Sequence, residues 1–185
     1  MGYVPGPSLA GWADPRALQP AGPSSYELIE IDGRTNVERL SSLYARYHGA
    51  APLSIARDAA YWRALLERSP DDRFFVLANQ AGDDWQGYVR VALGVDSSWR
   101  ITDYAWNDER PELGEALYLA VAARAAEQGA PRVGGWLPDN STTRKLFALT
   151  PRRQEITMIK PLVGPLAEID QLVASTHCFC EIDHV

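Results

Sequence analysis

The chain has 185 residues, of which 46% are hydrophobic and 23% are charged, and its formal net charge is -6. This length suits one domain with a sizeable core, and no segment approaches the ~20 consecutive apolar residues that cross a bilayer. The acidic balance disfavours the cationic face that nucleic acids require, so we expect neither nucleic-acid nor membrane binding. The N-terminus carries no basic segment followed by an apolar one, so we expect a cytoplasmic protein.

The first 24 residues contain five prolines and show no sustained hydrophobic period. This composition predicts an extended or poorly ordered leader over 1–24. Partial alternation of apolar and polar residues over 26–31, ended by Asp32-Gly33, then predicts the first strand. We expect the folded domain to begin with this strand.

Two helices are predicted next. Apolar residues at helical spacing run over 35–49, where Thr35 and Glu38 have the pattern of a capping box. A second amphipathic stretch over 54–67 is stopped by a proline. His48, at the end of the first helix, is expected to be a solvated imidazole rather than a general base.

The remaining elements alternate between strands and helices. Three strand-like runs over 73–78, 85–94 and 100–106 are separated by turn sequences and predict an antiparallel meander. The clearest helix covers 112–128 and ends before a Gly-Ala-Pro turn. The last predicted elements are a strand over 133–137, a short helix from Asn140, a strand over 156–160 and a helix over 165–174.

Two local patterns accompany this order of elements. Segment 140–147 has the spacing Asn-x-x-Ala-x-x-Leu-Tyr, with threonine in the small-residue position and phenylalanine in place of the tyrosine. Segment 110–116 is similar to Arg/Gln-x-x-Gly-x-Gly/Ala, with one residue inserted before its glycine. Over 25–162 the chain therefore resembles the GNAT superfamily of N-acetyltransferases, and it is similar to the degenerate second domain of tandem GNAT proteins.

The resemblance implies a fold and a cofactor. The fold is α/β, with a mixed, mainly antiparallel central sheet of six to seven strands, about four helices on both faces, and a C-terminal helix and tail over 163–185. The cofactor is acetyl-CoA, whose pyrophosphate binds N–H groups at a helix start where glycines let the backbone come close. The contacts implied by the resemblance are Ala105, Trp106, Arg110, Gly114, Ala116, Asn140 and Phe147.

The start of the helix predicted over 112–128 has a second interpretation, in which it binds no phosphate. Pro111 removes a hydrogen-bond donor, and Asp108, Glu109 and Glu112 place negative charge where an anion would bind. Acidic residues in a first helical turn also stabilise a helix without any ligand. A well-capped helix is therefore as good an interpretation as a phosphate site.

Acetyl transfer would also need a base for the amine and an acid for the departing thiolate. The resemblance implies a tyrosine acid at position 147, and phenylalanine there cannot donate a proton. Tyr104 is the candidate acid and Asp103 the candidate base, although neighbours on a strand face opposite sides of a sheet. The structural alternatives are a packed tyrosine and a hydrogen-bonded carboxylate. Gly134-Gly135 in the following strand suits close approach by a backbone or a ligand.

The two cysteines predict no metal site. Cys178 and Cys180 are separated by one residue, whereas zinc-binding pairs are usually separated by two to four, and no second pair exists. His177 and His184 lie nearby, but we expect these cysteines to be ordinary thiols.

Two functions of different classes follow. The first is acetyl transfer from acetyl-CoA to an unidentified small-molecule or peptide amine. The second is a non-catalytic, degenerate GNAT domain that serves as a binding or assembly module, for instance in a homodimer. The element order, Gly114 and Ala116, Gly134-Gly135 and the segment from Asn140 favour the first function, which is the one we expect. The inserted residue in 110–116, the acids around it and Phe147 favour the second.

Overall fold

The computed structural model describes residues 4–5, 9–18, 25–49, 54–79, 81–107, 110, 112–152, 158–159 and 181. The strands among these residues are β1 (Val4–Pro5), β2 (Leu9–Ala13), β3 (Tyr26–Ile31), β4 (Arg73–Asn79), β5 (Trp85–Leu93), β6 (Trp99–Trp106), β7 (Val133–Trp136), β8 (Ala148–Pro151) and β9 (Met158–Ile159). The helices are α1 (Val37–His48), α2 (Ala59–Arg68), α3 (Glu112–Glu127) and α4 (Ser141–Leu146), with a short 3-10 turn at Pro15–Ala17.

Seven strands form one open sheet in the order β3-β4-β5-β6-β7-β2-β8. Strands β4, β5 and β6 are consecutive antiparallel neighbours, as the turn sequences between them predict, and β3 pairs antiparallel with β4 across the two intervening helices. Strand β7 lies parallel to β6, because helix α3 carries the chain back to the same end of the sheet. The predicted α/β fold, with a mainly antiparallel sheet of six to seven strands and about four helices, is confirmed. Strands β1 and β9 form a separate two-stranded ladder.

The sheet separates two apolar cores. One core lies against α3, whose residues Leu113, Leu117 and Val121 are fully buried at a spacing of four. The other core joins the sheet to α1 and α2 through residues such as Leu40 and Trp62. Each helix is amphipathic because it buries one stripe against a sheet face, and together they cover both faces of the meander.

Strand β2 lies inside the sheet, although the sequence predicts a leader there. Its five residues pair with β7 on one side and with β8 on the other. Gly11 permits this close packing, because a Cβ at that position would lie 2.6 Å from Leu149 Cδ2. The strand is short and mostly half-buried, so its sequence shows no clear alternation, and only long-range pairing reveals it.

The helix starts also differ from the predicted ones. Helix α1 begins at Val37, and the expected capping box is not formed: the Thr35 hydroxyl and the Asn36 amide instead donate to Asp32 O. Helix α2 begins at Ala59, where the Asp58 carboxylate accepts the Tyr61 N–H. Strand β8 was not predicted. The predicted helix over 165–174 and both cysteines lie outside the described residues.

None of the helices in the described part of the chain has the length and hydrophobicity needed to cross a membrane.

Candidate functional site

Strands β6 and β7 separate part of the way along the sheet. Their parallel ladder joins Trp99 to Val133, Arg100 to Gly134 and Ile101 to Gly135 and ends there, whereas β6 continues to Trp106. At the same place β6 contains one extra residue relative to β5, since Arg90 pairs with Asp103 and Val91 with Ile101. Such a bulge bends a strand, and here it accompanies the divergence. This gap is where the resemblance implies the arm of a cofactor.

The two glycines of β7 are explained by neighbouring strands rather than by a ligand. A Cβ at Gly135 would lie 2.1 Å from Ile101 O on β6, and one at Gly134 would lie 1.9 Å from Gly11 O on β2. Each distance is far below any real contact, so side chains here would push the strands apart. The close approach suggested by the sequence is therefore between backbones.

Aromatic rings pack along the α3 side of the gap. Tyr104 and Trp106 are stacked with ring centroids 5.6 Å apart, and Tyr118 of α3 meets Trp106 edge-on at 5.7 Å. Phe147 in turn lies 5.4 Å from Tyr118, in a T-shaped arrangement. These edge-to-face and offset geometries are the favoured ones for aromatic pairs. Tyr104 and Phe147, which sequence reasoning placed near catalysis, are thus buried members of one core.

Two residues at the end of α1 reach into the gap from the other side of the sheet. Tyr47 packs against both cores, and its ring lies 4.4 Å from that of Trp106. His48 is buried, and its Nε2 lies 2.9 Å from Tyr104 O, so this nitrogen donates when it carries the proton. The expectation of a solvated imidazole is wrong: His48 satisfies a strand carbonyl on the side that β7 has left.

Asp103 faces the opposite side of the sheet and forms an ion pair with Arg57. The two Arg57 nitrogens lie 2.6 Å and 3.1 Å from its carboxylate oxygens, and both side chains are fully buried. Tyr88 also donates its hydroxyl to this carboxylate, at 2.9 Å. The Arg57 guanidinium lies over the Tyr44 ring at 3.8 Å, so it has a carboxylate on one side and an aromatic face on another.

This environment makes Asp103 a weak base. Burial by itself raises its pKa, but the nearby Arg57 charge and the hydrogen bonds from Arg57 and Tyr88 outweigh burial and bring the pKa below its ordinary value. A general base works best with a pKa near the working pH. The catalytic assignments of Asp103 and Tyr104 stay predictions, and the geometry favours the structural alternative for each.

The start of α3 holds the residues that the resemblance assigns to pyrophosphate. The Arg110 guanidinium donates to Glu112 at 2.9 Å and to the Tyr26 hydroxyl at 2.8 Å. The N–H of Leu113 donates to Arg110 O at 2.9 Å. Gly114 has a packing role, because a Cβ there would lie 2.9 Å from Trp106 Cε2. The space that a side chain would use at this glycine is occupied by an indole ring.

The remaining predicted contacts have structural roles as well. Asn140 caps α4: its side chain accepts the Thr143 N–H at 2.9 Å, and Thr143 Oγ1 accepts the Asn140 N–H at 3.2 Å. Ala116 packs against the α3 core. Ala105 is buried on the other face, in the core of α1 and α2, and so does not share a side with Trp106.

The described residues therefore do not fit acetyl-CoA as they stand. Tyr47 and His48 enter the gap, Trp106 lies against Gly114, and Arg110 is paired with Glu112. No group of three or more metal-binding side chains occurs in the part of the chain that the structure describes. Sequence reasoning gave no site role to Tyr47 or Tyr118, because only the fold brings these residues to β6.

Comparison with solved structures shows which class of protein has this architecture. A conserved protein of unknown function from Enterococcus faecalis, given as a probable N-acyltransferase, matches with a TM-score of 0.61 at 10% identity, over 81% of this chain and 39% of that one. A GCN5-related N-acetyltransferase from Anabaena variabilis matches at 0.57 and 21% identity, over 85% and 41%. Another, from Kribbella flavida, matches at 0.55 and 14% identity, over 85% and 37%.

The chain therefore has the fold of the GCN5-related N-acetyltransferases, the GNAT fold. It spans about two fifths of the length of these three chains. No protein-family model matches the sequence, and no curated protein matches it either.

Proposed function

We propose that this chain is a non-catalytic GNAT-fold domain that acts as a binding or assembly module. The observation that carries the proposal is the position of Tyr47 and His48 in the gap between β6 and β7, where the Tyr47 ring packs against Trp106 and His48 Nε2 lies at hydrogen-bond distance from Tyr104 O. A domain that fills its own cofactor gap has no room there for the arm of acetyl-CoA.

The energy needed to clear the gap supports this proposal. Withdrawing the buried His48 would leave the Tyr104 carbonyl without its hydrogen bond and would expose ring surface of Trp106 and Tyr104. A lost hydrogen bond and one exposed aromatic contact together cost about 3 kcal/mol. A protein that must first make such a change binds about a hundredfold more weakly than one whose site is open.

The relatives of known structure suggest what such a module would assemble with. The three similar chains are more than twice as long as the part that this chain matches. A second GNAT-fold domain, or a second copy of this chain in a homodimer, is therefore the partner we propose. A cytoplasmic location is part of the same proposal.

One observation favours a second function, acetyl transfer from acetyl-CoA to a primary amine. Strands β6 and β7 do diverge, with a bulge at the point of divergence, and in the described residues no strand pairs with β6 on that side beyond Ile101. If Tyr47 and His48 moved out, acetyl-CoA would be the co-substrate and a small-molecule or peptide amine the acceptor.

Calorimetric titration with acetyl-CoA and, separately, with free CoA tests the proposal. We expect no binding heat and no thermal shift up to about 1 mM ligand. A dissociation constant above about 1 mM corresponds to a binding free energy weaker than about 4 kcal/mol. A GNAT enzyme titrated alongside provides the positive control.

A variant pair makes the opposite outcome specific. If acetyl-CoA binds with micromolar affinity, and Arg110→Glu weakens binding while Arg124→Glu on the same helix does not, the proposal is wrong. The acetyl-transfer function would then stand. Both arginine side chains are half-buried to a similar degree, 43% and 36% exposed, and neither belongs to an apolar core, so the two changes are matched.

A further inference from the structure

Two large apolar side chains are exposed in the part of the chain that the structure describes, and both lie on the hairpin between β5 and β6. Leu93, the last residue of β5, is 54% exposed, and Val95, in the turn, is fully exposed. An isolated exposed apolar side chain is common, but two on one turn form a patch, and such patches are typical of protein–protein contacts. We call Leu93 and Val95 the apolar tip.

The turn that carries the apolar tip is held in one shape. Asp96 accepts hydrogen bonds from the Ser98 N–H at 3.1 Å and from the Ser98 hydroxyl at 2.6 Å. The N–H of Gly94 donates to Ser98 O at 2.8 Å, and that of Ser97 donates to Gly94 O at 2.9 Å. Ser97 has a φ of 62°, which few residues other than glycine adopt. A turn fixed in this way loses little conformational entropy when it binds.

Other elements form a groove that can receive such a tip. The groove runs between α1 and the start of α2 and has a volume of about 400 Å³. Val37, Ala45 and Ala59 give its walls accessible apolar surface. The Trp62 ring beneath has no exposed surface and would not contact a partner. The accessible walls are therefore shallow and aliphatic, which suits side chains such as valine and leucine.

The accessible charge of the groove is negative. Glu38 and Asp58 line it, and both are exposed. Arg57 also lines it but is buried, and both of its terminal nitrogens bond the Asp103 carboxylate, which compensates its charge. A partner surface with a cation beside its apolar part would therefore be complementary to this groove.

The strand beside the apolar tip carries such a cation. Arg100, two residues after the turn, is 49% exposed, whereas Glu181, with which it pairs at 3.2 Å, is only 17% exposed. Arg132 and Asp96, which also form an ion pair, are exposed to nearly the same extent, so their charges compensate each other. The apolar tip thus has a positively charged flank and complements the groove in both polarity and charge.

We propose that the apolar tip of one copy of this chain docks in the groove of a second copy, so that copies assemble head to tail. This inference rests on the proposed function as an assembly module, and it names the surfaces and the partner. Because the two surfaces differ, a dimer keeps one free tip and one free groove, and larger assemblies follow. The contact is small, so we expect weak association, with a dissociation constant of about 0.1 mM.

Sedimentation velocity over a range of protein concentrations tests the inference. Each copy has a net charge of -6, so the buffer should contain about 0.15 M salt to screen repulsion between copies. We expect the weight-average mass of the wild-type protein to rise between about 10 µM and about 1 mM. Val95→Asp should abolish this rise, and Leu93→Ser should reduce it. The control is Ala81→Asp, which places the same charge in the turn between β4 and β5 and should leave the rise unchanged.

A mixing experiment distinguishes head-to-tail assembly from a symmetric contact. Ala45→Arg blocks the groove and leaves the tip intact, so it should be monomeric alone, as should Val95→Asp. Mixed in equal amounts, the two variants should form a heterodimer, because one supplies the tip and the other the groove. Ala60→Arg, on α2 but outside the groove lining, is the control and should associate like the wild-type protein. All the changed positions are exposed, and far-UV circular dichroism checks that each variant is folded.

Three outcomes would overturn the inference. These are a wild-type protein that stays monomeric up to about 1 mM, association that survives either Val95→Asp or Ala45→Arg, and a mixture of these two variants that stays monomeric. None of them bears on the titration with acetyl-CoA, in which binding heat would instead contradict the non-catalytic function.

Discussion

Asp103 is completely buried on β6, and its carboxylate accepts hydrogen bonds from two Arg57 nitrogens, the Tyr88 hydroxyl and the Tyr104 N–H. Such a carboxylate is stable only while each oxygen keeps its donors, because charge in a dry interior is costly. Its role is to hold the segment before α2 against the sheet. Arg57, two residues before the start of α2, connects this segment to β6 through the ion pair.

Arg57→Met should lower the free energy of unfolding by about 3–5 kcal/mol, since it leaves a buried charge without its partner. Arg144→Met is the matched control. Arg144 also donates two hydrogen bonds to one carboxylate, that of Asp139, but its side chain is exposed. The control should cost less than about 1 kcal/mol. Urea unfolding measures both changes, and equal losses would contradict the structural role of Asp103.

The pH dependence of this ion pair has a definite sign. The pKa of Asp103 is lowered in the folded protein, although burial alone would raise it, because the Arg57 charge and hydrogen bonds prevail. Its contribution to stability is therefore present above its unfolded pKa and is lost as the pH falls through the folded value. In Arg57→Met this acid-side loss should disappear, and stability should instead fall with rising pH as the carboxylate ionises. Urea unfolding curves measured from about pH 3 to about pH 7 compare the wild-type protein with Arg57→Met.

Gly114 is a residue whose sequence pattern and packing suggest different roles. In an open helix, Gly114→Ala would stabilise by about 1 kcal/mol through helix propensity. Against the Trp106 indole, the new methyl group should instead destabilise by about 1–3 kcal/mol. In a Trp106→Leu background the clash should vanish and the same change should be neutral or stabilising. Thermal unfolding is compared for the wild-type protein, Gly114→Ala, Trp106→Leu and the double variant. This comparison distinguishes packing from any other role of the glycine.

At the scale of elements, β2 is the strand that unites the sheet. It lies between β7 and β8 and pairs with both, so its removal would leave two strands with unsatisfied edges. Gly11, Gly134 and Gly135 let these backbones approach.

A truncated chain that starts at residue 25, where the sequence predicts the domain to begin, should fail to fold. We expect far-UV circular dichroism without a cooperative thermal transition, because backbone groups of β7 and β8 lose their partners. Removal of residues 1–3 alone is the control and should leave the transition in place. A stable truncated domain would mean that β2 is dispensable, and the leader prediction would stand.

Some elements were predictable because their signals are local. The meander from β4 to β6 was predicted from turn sequences between apolar runs, β3 from its partial alternation, and α3 from its apolar stripe. The N-cap of α4 at Asn140 also follows a local pattern. Strands β2 and β8 were missed because they are short and bury few side chains, and the residues with which each pairs lie more than a hundred positions away in the chain.

For the whole molecule, the seven-stranded sheet separates two cores that share its strands. Tyr47 packs against both cores, and alternate residues of β6 contribute to each. Both apolar cores pack against the same sheet, so neither can persist when the sheet unfolds. The two cores should therefore be lost together.

Urea unfolding should therefore be a single transition. Tryptophan fluorescence reports largely on side-chain packing and far-UV circular dichroism on secondary structure, and we expect the two midpoints to coincide. Trp62 lies in the α1–α2 core and Trp99 in the α3 core, so both layers contribute to the fluorescence signal. Separate midpoints would show that one helical layer unfolds independently.

The sequence by itself determined the α/β class, the elements with strong local signals such as the meander and α3, and the resemblance to the GNAT superfamily, because turns, apolar periods and caps act over a few residues. Only the tertiary structure decided what the motif residues do. Gly114, Asn140, Asp103 and Phe147 each match a pattern, but their roles depend on Trp106, Thr143, Arg57 and Tyr118, which the fold brings to them. A pattern specifies residue types and spacing, whereas the space and charge around a side chain are set by residues distant in the chain.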